Sequence, residues 1–325
     1  MLGLFYHIMV YIMNQSNDVF FPYTTSIQIA GLHYCIKSQL DISWSEIEKQ
    51  FILCPESTFP GSESELIVDT RIISVDTLPF PVLSTDHDKK DLKVWHDEKG
   101  EIRNYYASMY VDNPIYAQSR YIIKKEGYAS LEIFYYKKSH LWGNPNLRIW
   151  NLLHLEAALL SIDAMVLHCS YMMYENQAIL FSAPSGTGKT TQAKLWEQYY
   201  NSHIINGDKA VLMKKNNRWF VWGFPYHGSA SECENKSYPL LAISVVRQSP
   251  NDYIVKERPG RTITDIYSEI TVNSWKEQDI NHALSLVSDI CMNVPVVKQY
   301  CTMEKCAADT LHQFLFPSIT DKKKL

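Results

Sequence analysis

The sequence predicts an α/β domain with a mixed sheet, preceded by a β-rich N-terminal domain. Three observations carry that prediction. Residues 19 to 138 read as strands and turns with one short helical stretch. After about residue 150, apolar strand-like runs alternate with amphipathic helix patterns. Within that second part, two pairs of neighbouring strands are joined by hairpins, whereas a doubly wound parallel sheet would join them through helices. The resulting organisation is a β-rich accessory domain over 1–140, an α/β domain over 141–318 and a disordered tail over 319–325.

The N-terminal "MLGLFYHIMVYIM" is too short to span a bilayer and lacks a basic region and a cleavage site, so it reads as a first strand or a start-site extension. "YTTSIQIAGLHYCIK" alternates around Gly31 as strand pattern. "SWSEIEKQF" is a short helix capped by Ser43 or Ser45. "RIISVDTL", "LKVWHDEKGEIRNYYASMYV" and "YASLEIFYYKK" follow as strands, with a hairpin at Asp97-Glu98-Lys99-Gly100. Gly143-Asn144-Pro145 then breaks the pattern and starts a helix in which Leu147, Trp150, Leu153, Ala157 and Leu160 share a face.

In the second part, "MVLHCSYMMYENQAILFS" is a hairpin turning at Glu175-Asn176-Gln177. "TQAKLWEQYY" sets Ala193, Trp196 and Tyr200 on one helical face. "HIINGDKAVLMKKNNRWFVWGF" is a strand, then Asp208, then a hairpin turning at Asn216-Asn217. "LLAISVV" is a buried strand, "TITDIYSEI" and "NHALSLVSDICM" are helices, "PVVKQY" is a strand and "KCAADTLHQFLF" is a last helix.

Composition narrows the function. A net charge of −4 and no basic patch interleaved with aromatics argue against nucleic acid as a partner, and Lys322-Lys323-Lys324 reads as a solvated tail. The seven cysteines form no C-x-x-C pair and no zinc spacing, which fits reduced thiols in a cytoplasmic protein with no membrane partner.

The chemistry concentrates in "AILFSAPSGTGKTTQAKLW", residues 178–196. Ala183 to Thr190 has the form of a phosphate-binding loop, with Ala183 where the strict pattern has Gly. Such a turn points successive backbone N–H groups inward, and the helix starting at about Lys189 aims its positive end at the same place. Ser185, Gly186, Thr187, Gly188, Lys189, Thr190 and Thr191 are therefore the expected nucleotide contacts, Lys189 reaching the β- and γ-phosphates and Thr190 ligating Mg²⁺. Phosphoryl transfer also needs an acid to hold metal. Asp208, nineteen residues beyond Lys189, is the candidate metal ligand and catalytic acid. A plain turn in "NGDK" is the other reading of it. His168, at the end of a strand adjoining the loop strand, could contact a phosphate or position an acceptor.

His168 with Ser170, the hairpin, "SAPSGTGKTTQAKLW", "INGDKAVL" and "WGFPYHGS" together resemble the HPr kinase/phosphorylase-like proteins of the P-loop phosphoenolpyruvate-carboxykinase-like superfamily. The resemblance covers roughly residues 150 to 316 and is strongest from 165 to 230. It implies a mixed-sheet P-loop domain and an ATP- and Mg²⁺-dependent phosphotransferase, with His168 near the phosphates. It also implies two adjacent acids after the next strand, one a general base and one a metal ligand. Here that pair reads Gly207-Asp208, and no HPr-docking segment is evident. Relatives assemble as oligomers, so a homo-oligomer is an expectation of the resemblance.

The reading is a kinase that moves the γ-phosphate of ATP to a hydroxyl of a protein, peptide or small-molecule acceptor. The alternative is a nucleotide-binding regulatory or scaffold protein with weak or no turnover, which the missing acid favours. A motor- or GTPase-type hydrolase is disfavoured by the hairpin after Asp208 and the absence of an N-K-x-D signature, and the chain is short for a carboxykinase-type lyase. "GFPYHGSASECENKSYPL", with Gly223, Pro225, Gly228, His227, Ser229 and Ser231, reads as an acceptor-side loop or a plain connection. Arg247, Arg258 and Arg261 could neutralise transferred phosphate or form surface salt bridges.

Overall fold

A computed structural model describes residues 19–53, 65–81, 87–107, 112, 114–124, 127–138, 149–226 and 233–317. The readings of the N-terminal apolar run, of Gly143-Asn144-Pro145, of the tail, and of His227, Gly228, Ser229 and Ser231 lie outside these residues. The chain is α/β with two mixed sheets. Among the described residues, no helix is long and apolar enough to cross a membrane.

The first sheet holds β1 (Tyr23–Ile29), β2 (Leu32–Ser38), β3 (Leu66–Val75), β4 (His87–Asp88), β5 (Leu92–His96), β6 (Glu101–Tyr106), β7 (Ile115–Ile123) and β8 (Tyr128–Tyr136). Their order is β1-β2-β3-β8-β7-β6-β5-β4. The expected turn at Asp97 to Gly100 forms because the Asp97 carboxylate accepts the Lys99 and Gly100 amides, at 2.8 and 3.0 Å. The short helix α1 (Glu46–Lys49) is capped by Ser45, in a reciprocal arrangement with Glu48.

The helix expected as one piece near residue 150 is broken. It forms α2 (Ile149–Leu152) and α3 (Leu155–Leu160), separated at His154, whose φ is +51°. His154 is fully buried, its ring nitrogen lies 2.6 Å from Ser119 Oγ, and it stacks on Tyr121. Those contacts with the first sheet override the helical pattern.

The second sheet is built around β9 (Ala164–Tyr174), which turns at Glu175-Asn176 into β10 (Gln177–Ser182). Then come α4 (Lys189–Tyr200), β11 (His203–Asn206), β12 (Lys209–Lys215), β13 (Arg218–Trp222), β14 (Ser237–Gln248) and β15 (Tyr253–Val255). The chain finishes with α5 (Pro259–Tyr267), β16 (Ile270–Thr271), α6 (Glu277–Asn293), β17 (Val296–Cys301) and α7 (Lys305–Leu315). Both expected hairpins are present: β9 pairs β10, and β12 pairs β13 across Asn216-Asn217, both in the left-handed region. The strands β10, β14 and β17 run parallel, so their C-terminal ends share one edge.

Partner exchange along β9 positions the site. Ala164 to His168 pair with β12, and Cys169 to Tyr174 pair with β10. On the opposite edges, β16 pairs Val166 and Leu167, while β11 pairs Tyr171 to Met173. Both edges of β9 therefore change partner beside His168 and Cys169. At that point the His168 amide donates to Glu269 O and the Cys169 amide donates to Asp208 O. One core packs the first sheet, α2 and α3 against Ala164, Val166, Val211 and Met213. The other two lie on the two faces of the second sheet, one of them enclosing Trp196 of α4 and Leu311 of α7.

Candidate active site

β10 ends at Ser182, the loop turns through Ala183 to Gly188, and α4 begins at Lys189. Gly186 and Gly188 take φ of +78° and +109°, and nothing lies within 4 Å of where a Cβ would stand. A side chain would meet the wrong backbone conformation and fill the hollow over the loop amides. The Ala183 departure is explained by packing: its methyl is buried with Phe181 and Ala193. Thr187 stiffens the turn, its hydroxyl donating to Pro184 O at 2.8 Å. Ser185 and Gly186 are exposed, and Thr191 is half-buried on the first turn of α4.

Lys189 is only 6% exposed. Its ammonium donates to Ala183 O at 2.6 Å and Pro184 O at 3.3 Å, so it is folded against its own loop. Burial lowers its pKa from the ordinary lysine value, and the charges of Glu269, Cys169 and Asp208 oppose that shift. Thr190 Oγ1 donates to Gly207 O at 3.3 Å, which brings the first turn of α4 against the Asp208 bend.

Asp208 sits between β11 and β12, with its Oδ1 3.5 Å from His168 Nε2. That is long for a hydrogen bond, and the contact is an ion pair only when the His168 ring carries a second proton. The facing His168 ring is the main cause holding the Asp208 carboxyl below its usual value, with Lys209 and Lys189 adding to the effect against partial burial. The other ring nitrogen, Nδ1, lies 2.9 Å from Glu269 Oε2. A carboxylate only accepts, so Nδ1 is the donor in that contact.

Lys189, Thr190, His168 and Asp208 thus meet at one place, as the sequence led one to expect. Glu269 joins them without any sequence signal. It lies sixty-one residues beyond Asp208, in a "SEI" that the sequence reads as the end of a helix; the helix instead stops at Tyr267, and Ile270 already belongs to β16. Only the pairing of β16 with β9 brings it in. The site therefore has two carboxylates around one imidazole although Gly207 is no acid. Of the three candidate arginines, Arg247 pairs with Asp265 at 2.6 Å, and the exposed Arg261 lies 3.5 Å from Glu257. Arg258 is the N-cap position of α5. Gly223 is fixed by close approach, because a Cβ there would stand 1.8 Å from Glu234 O.

A nucleotide and Mg²⁺ fit this set of residues. Nothing lies within 4 Å of where a Cβ on Gly186 or Gly188 would stand, so the loop backbone is uncovered there, and the Lys189 ammonium is held by the loop carbonyls of Ala183 and Pro184. Among the described residues, no three His, Cys, Asp or Glu side chains form a metal cage. Mg²⁺ asks for no such cage, since it commonly combines one or two protein oxygens with phosphate oxygens and water.

No family model matches this chain. No curated protein matches it. Among solved structures it is similar to the Hpr(Ser) kinase/phosphatase from Coxiella burnetii, with 11% sequence identity and a TM-score of 0.22, over 29% of this chain and 71% of that one.

Proposed function

We propose that this chain is an ATP- and Mg²⁺-dependent phosphotransferase. In this reading its α/β part is a P-loop domain of the phosphoenolpyruvate-carboxykinase-like type, and the β-rich part before residue 140 is an accessory domain. The observation that carries the reading is the convergence of Lys189, Thr190, His168, Asp208 and Glu269 on the helix end that follows a glycine loop. In this reading the loop amides from Ser185 to Thr191 and the Lys189 ammonium bind the phosphate chain. The Thr190 hydroxyl and one oxygen of the Asp208 carboxylate would hold Mg²⁺, which when bound would supply charge neutralisation on the phosphates.

The remaining work is done by positioned side chains. Asp208, held ionised by the His168 ring, accepts the proton of the acceptor hydroxyl at a carboxylate oxygen. The bond between the γ-phosphorus and the bridging oxygen breaks, and a bond from the acceptor oxygen to that phosphorus forms. Glu269 fixes the ring of His168 so that Nε2 stays turned toward Asp208. Little covalent chemistry is asked of the protein, and orientation with charge stabilisation accounts for the rate. The acceptor is a protein, a peptide or a small molecule bearing a hydroxyl.

The test is incubation of the protein with γ-labelled ATP, Mg²⁺ and a lysate of the source cell. Transfer of label to a defined acceptor is the expected result. ATP binding with no transfer under any condition would instead favour the regulatory reading, in which the chain holds nucleotide without turning it over.

A further inference from the structure

Asn206 is the last residue of β11 and is fully buried. Its side chain faces two ways. Through Oδ1 it accepts the Asp208 amide at 2.8 Å and the Lys209 amide at 2.9 Å, which forms the bend that carries Asp208. Through Nδ2 it donates to Phe224 O at 2.9 Å and Tyr226 O at 3.2 Å. One amide group is thus fully engaged between the catalytic bend and the segment that follows β13.

That segment is held from other directions as well. Cys233 Sγ donates to Phe224 O at 3.0 Å, and the Glu234 amide donates to Ile205 O at 2.9 Å. From the first half of the chain, Gln50 Nε2 donates to Cys233 O and Asn235 Nδ2 donates to Gln50 O, both at 3.1 Å. Phe224 is packed into the core shared with the first sheet. The half-exposed ring of Tyr226 carries the Lys209 ammonium 4.9 Å from its centre. The surface beside Asp208 is therefore assembled from Tyr226 and Lys209, both tied to Asn206.

We propose that Asn206 is a positioning residue that links the nucleotide side of the site, at Asp208, to the acceptor-side surface at Phe224 to Tyr226. The inference rests on the phosphotransferase reading and adds to it. Loading the phosphate side tightens the surface that receives the hydroxyl acceptor, because both hang on one amide. The two hydrogen-bonding faces of that amide can be separated by substitution. Asn206→Asp keeps the acceptor for the Asp208 bend but sets a carboxylate oxygen against two carbonyl oxygens. Asn206→Ser keeps a shorter acceptor and has no amide donors, and it serves if the aspartate variant does not fold.

The measurement is hydrogen exchange of the full-length protein with and without Mg²⁺ and AMP-PNP, with calorimetry to verify binding. The reporters are the Gly223 and Glu234 amides, which close onto Lys236 O and Ile205 O. In the wild type, saturating nucleotide should slow their exchange about tenfold. In Asn206→Asp or Asn206→Ser the nucleotide should still bind, and the slowing should be lost. Binding without any slowing in the wild type overturns the inference and leaves the phosphotransferase reading standing. So does slowing that survives in either variant. Absence of nucleotide binding in the wild type overturns both.

Discussion

Among the described residues, two clusters that bring a histidine and a cation to a pair of carboxylates, one around Arg103 and one around His168, are put to different ends. In the first half, Arg103 donates to Glu101 and to Glu156, each at 2.6 Å, and to Asn273 at 3.3 Å. Trp275 donates to Glu101 at 3.2 Å, and His154 Nδ1 lies 3.4 Å from the same carboxylate. Burial pushes the Glu101 carboxyl upward, but His154, His96 and Arg103 together hold it well below its usual range. In the second half, the His168 and Asp208 side chains remain 26% and 25% exposed, and Lys189 has only loop carbonyls as hydrogen-bond partners. The first cluster is closed by protein, and it fastens the first sheet to α3 and to the segment after β16. The second is left open on the side of the glycine loop. The larger pKa perturbation lies in the closed cluster, so perturbation alone does not locate a functional site.

The comparison breaks or sharpens under substitution. The largest effect is expected for Arg103→Ala, which strands the buried Glu101 and the partly buried Glu156 carboxylates and should destabilise the fold by roughly 3–5 kcal/mol in urea titration. Nucleotide affinity of the folded fraction should be unchanged, and a loss of affinity at full folding would make the first cluster part of the site. Asp208→Asn comes next. Its Mg²⁺-dependent turnover of labelled ATP should fall on the order of 10²–10³-fold with the fold intact. An unchanged rate would move the metal ligand and base elsewhere. Lys189→Ala should weaken ATP binding by roughly 10- to 100-fold in calorimetry, as expected for losing hydrogen bonds from a charged donor. Normal affinity in that variant would sink the loop assignment. Glu269→Gln keeps shape and hydrogen bonding but removes the charge, and should lower turnover about tenfold with ATP affinity little altered.

The smallest effect is in pH. The folded-state pKa of Asp208 lies below its unfolded value of 3.8. Its contribution to stability is therefore present above that value and lost as pH falls through the folded one. The difference in Tm between wild type and Asp208→Asn should shrink as pH falls below about 4. No shrinkage in that range would mean that the fold does not favour the Asp208 carboxylate.

Much of this was legible in local pattern. The loop, its strand and its helix lie in one continuous stretch, and Asn216-Asn217 mark their hairpin by left-handed backbone. His168 does not end a strand as the sequence suggested; it lies in the middle of β9, where both edges of the strand change partner, and Asp208 lies in the bend between β11 and β12, which pair β9. The broken helix at His154 was not legible, since its cause is a bond to Ser119, thirty-five residues earlier. The role of Ala183 was half legible, as a strand end whose burial only the packing reveals.

By itself, the sequence determined the α/β class, the two hairpins and the glycine turn between β10 and α4, because turn chemistry and periodicity act over a few neighbouring residues. Tertiary structure alone decided that Glu269 would face His168 on the side away from Asp208, and that Asn206 would hold Asp208 and Tyr226 together. Both follow from partner exchange along β9 and from a buried amide whose partners come from distant segments. Such contacts are selected by strand register and burial in three dimensions, and they leave no period or spacing in the chain.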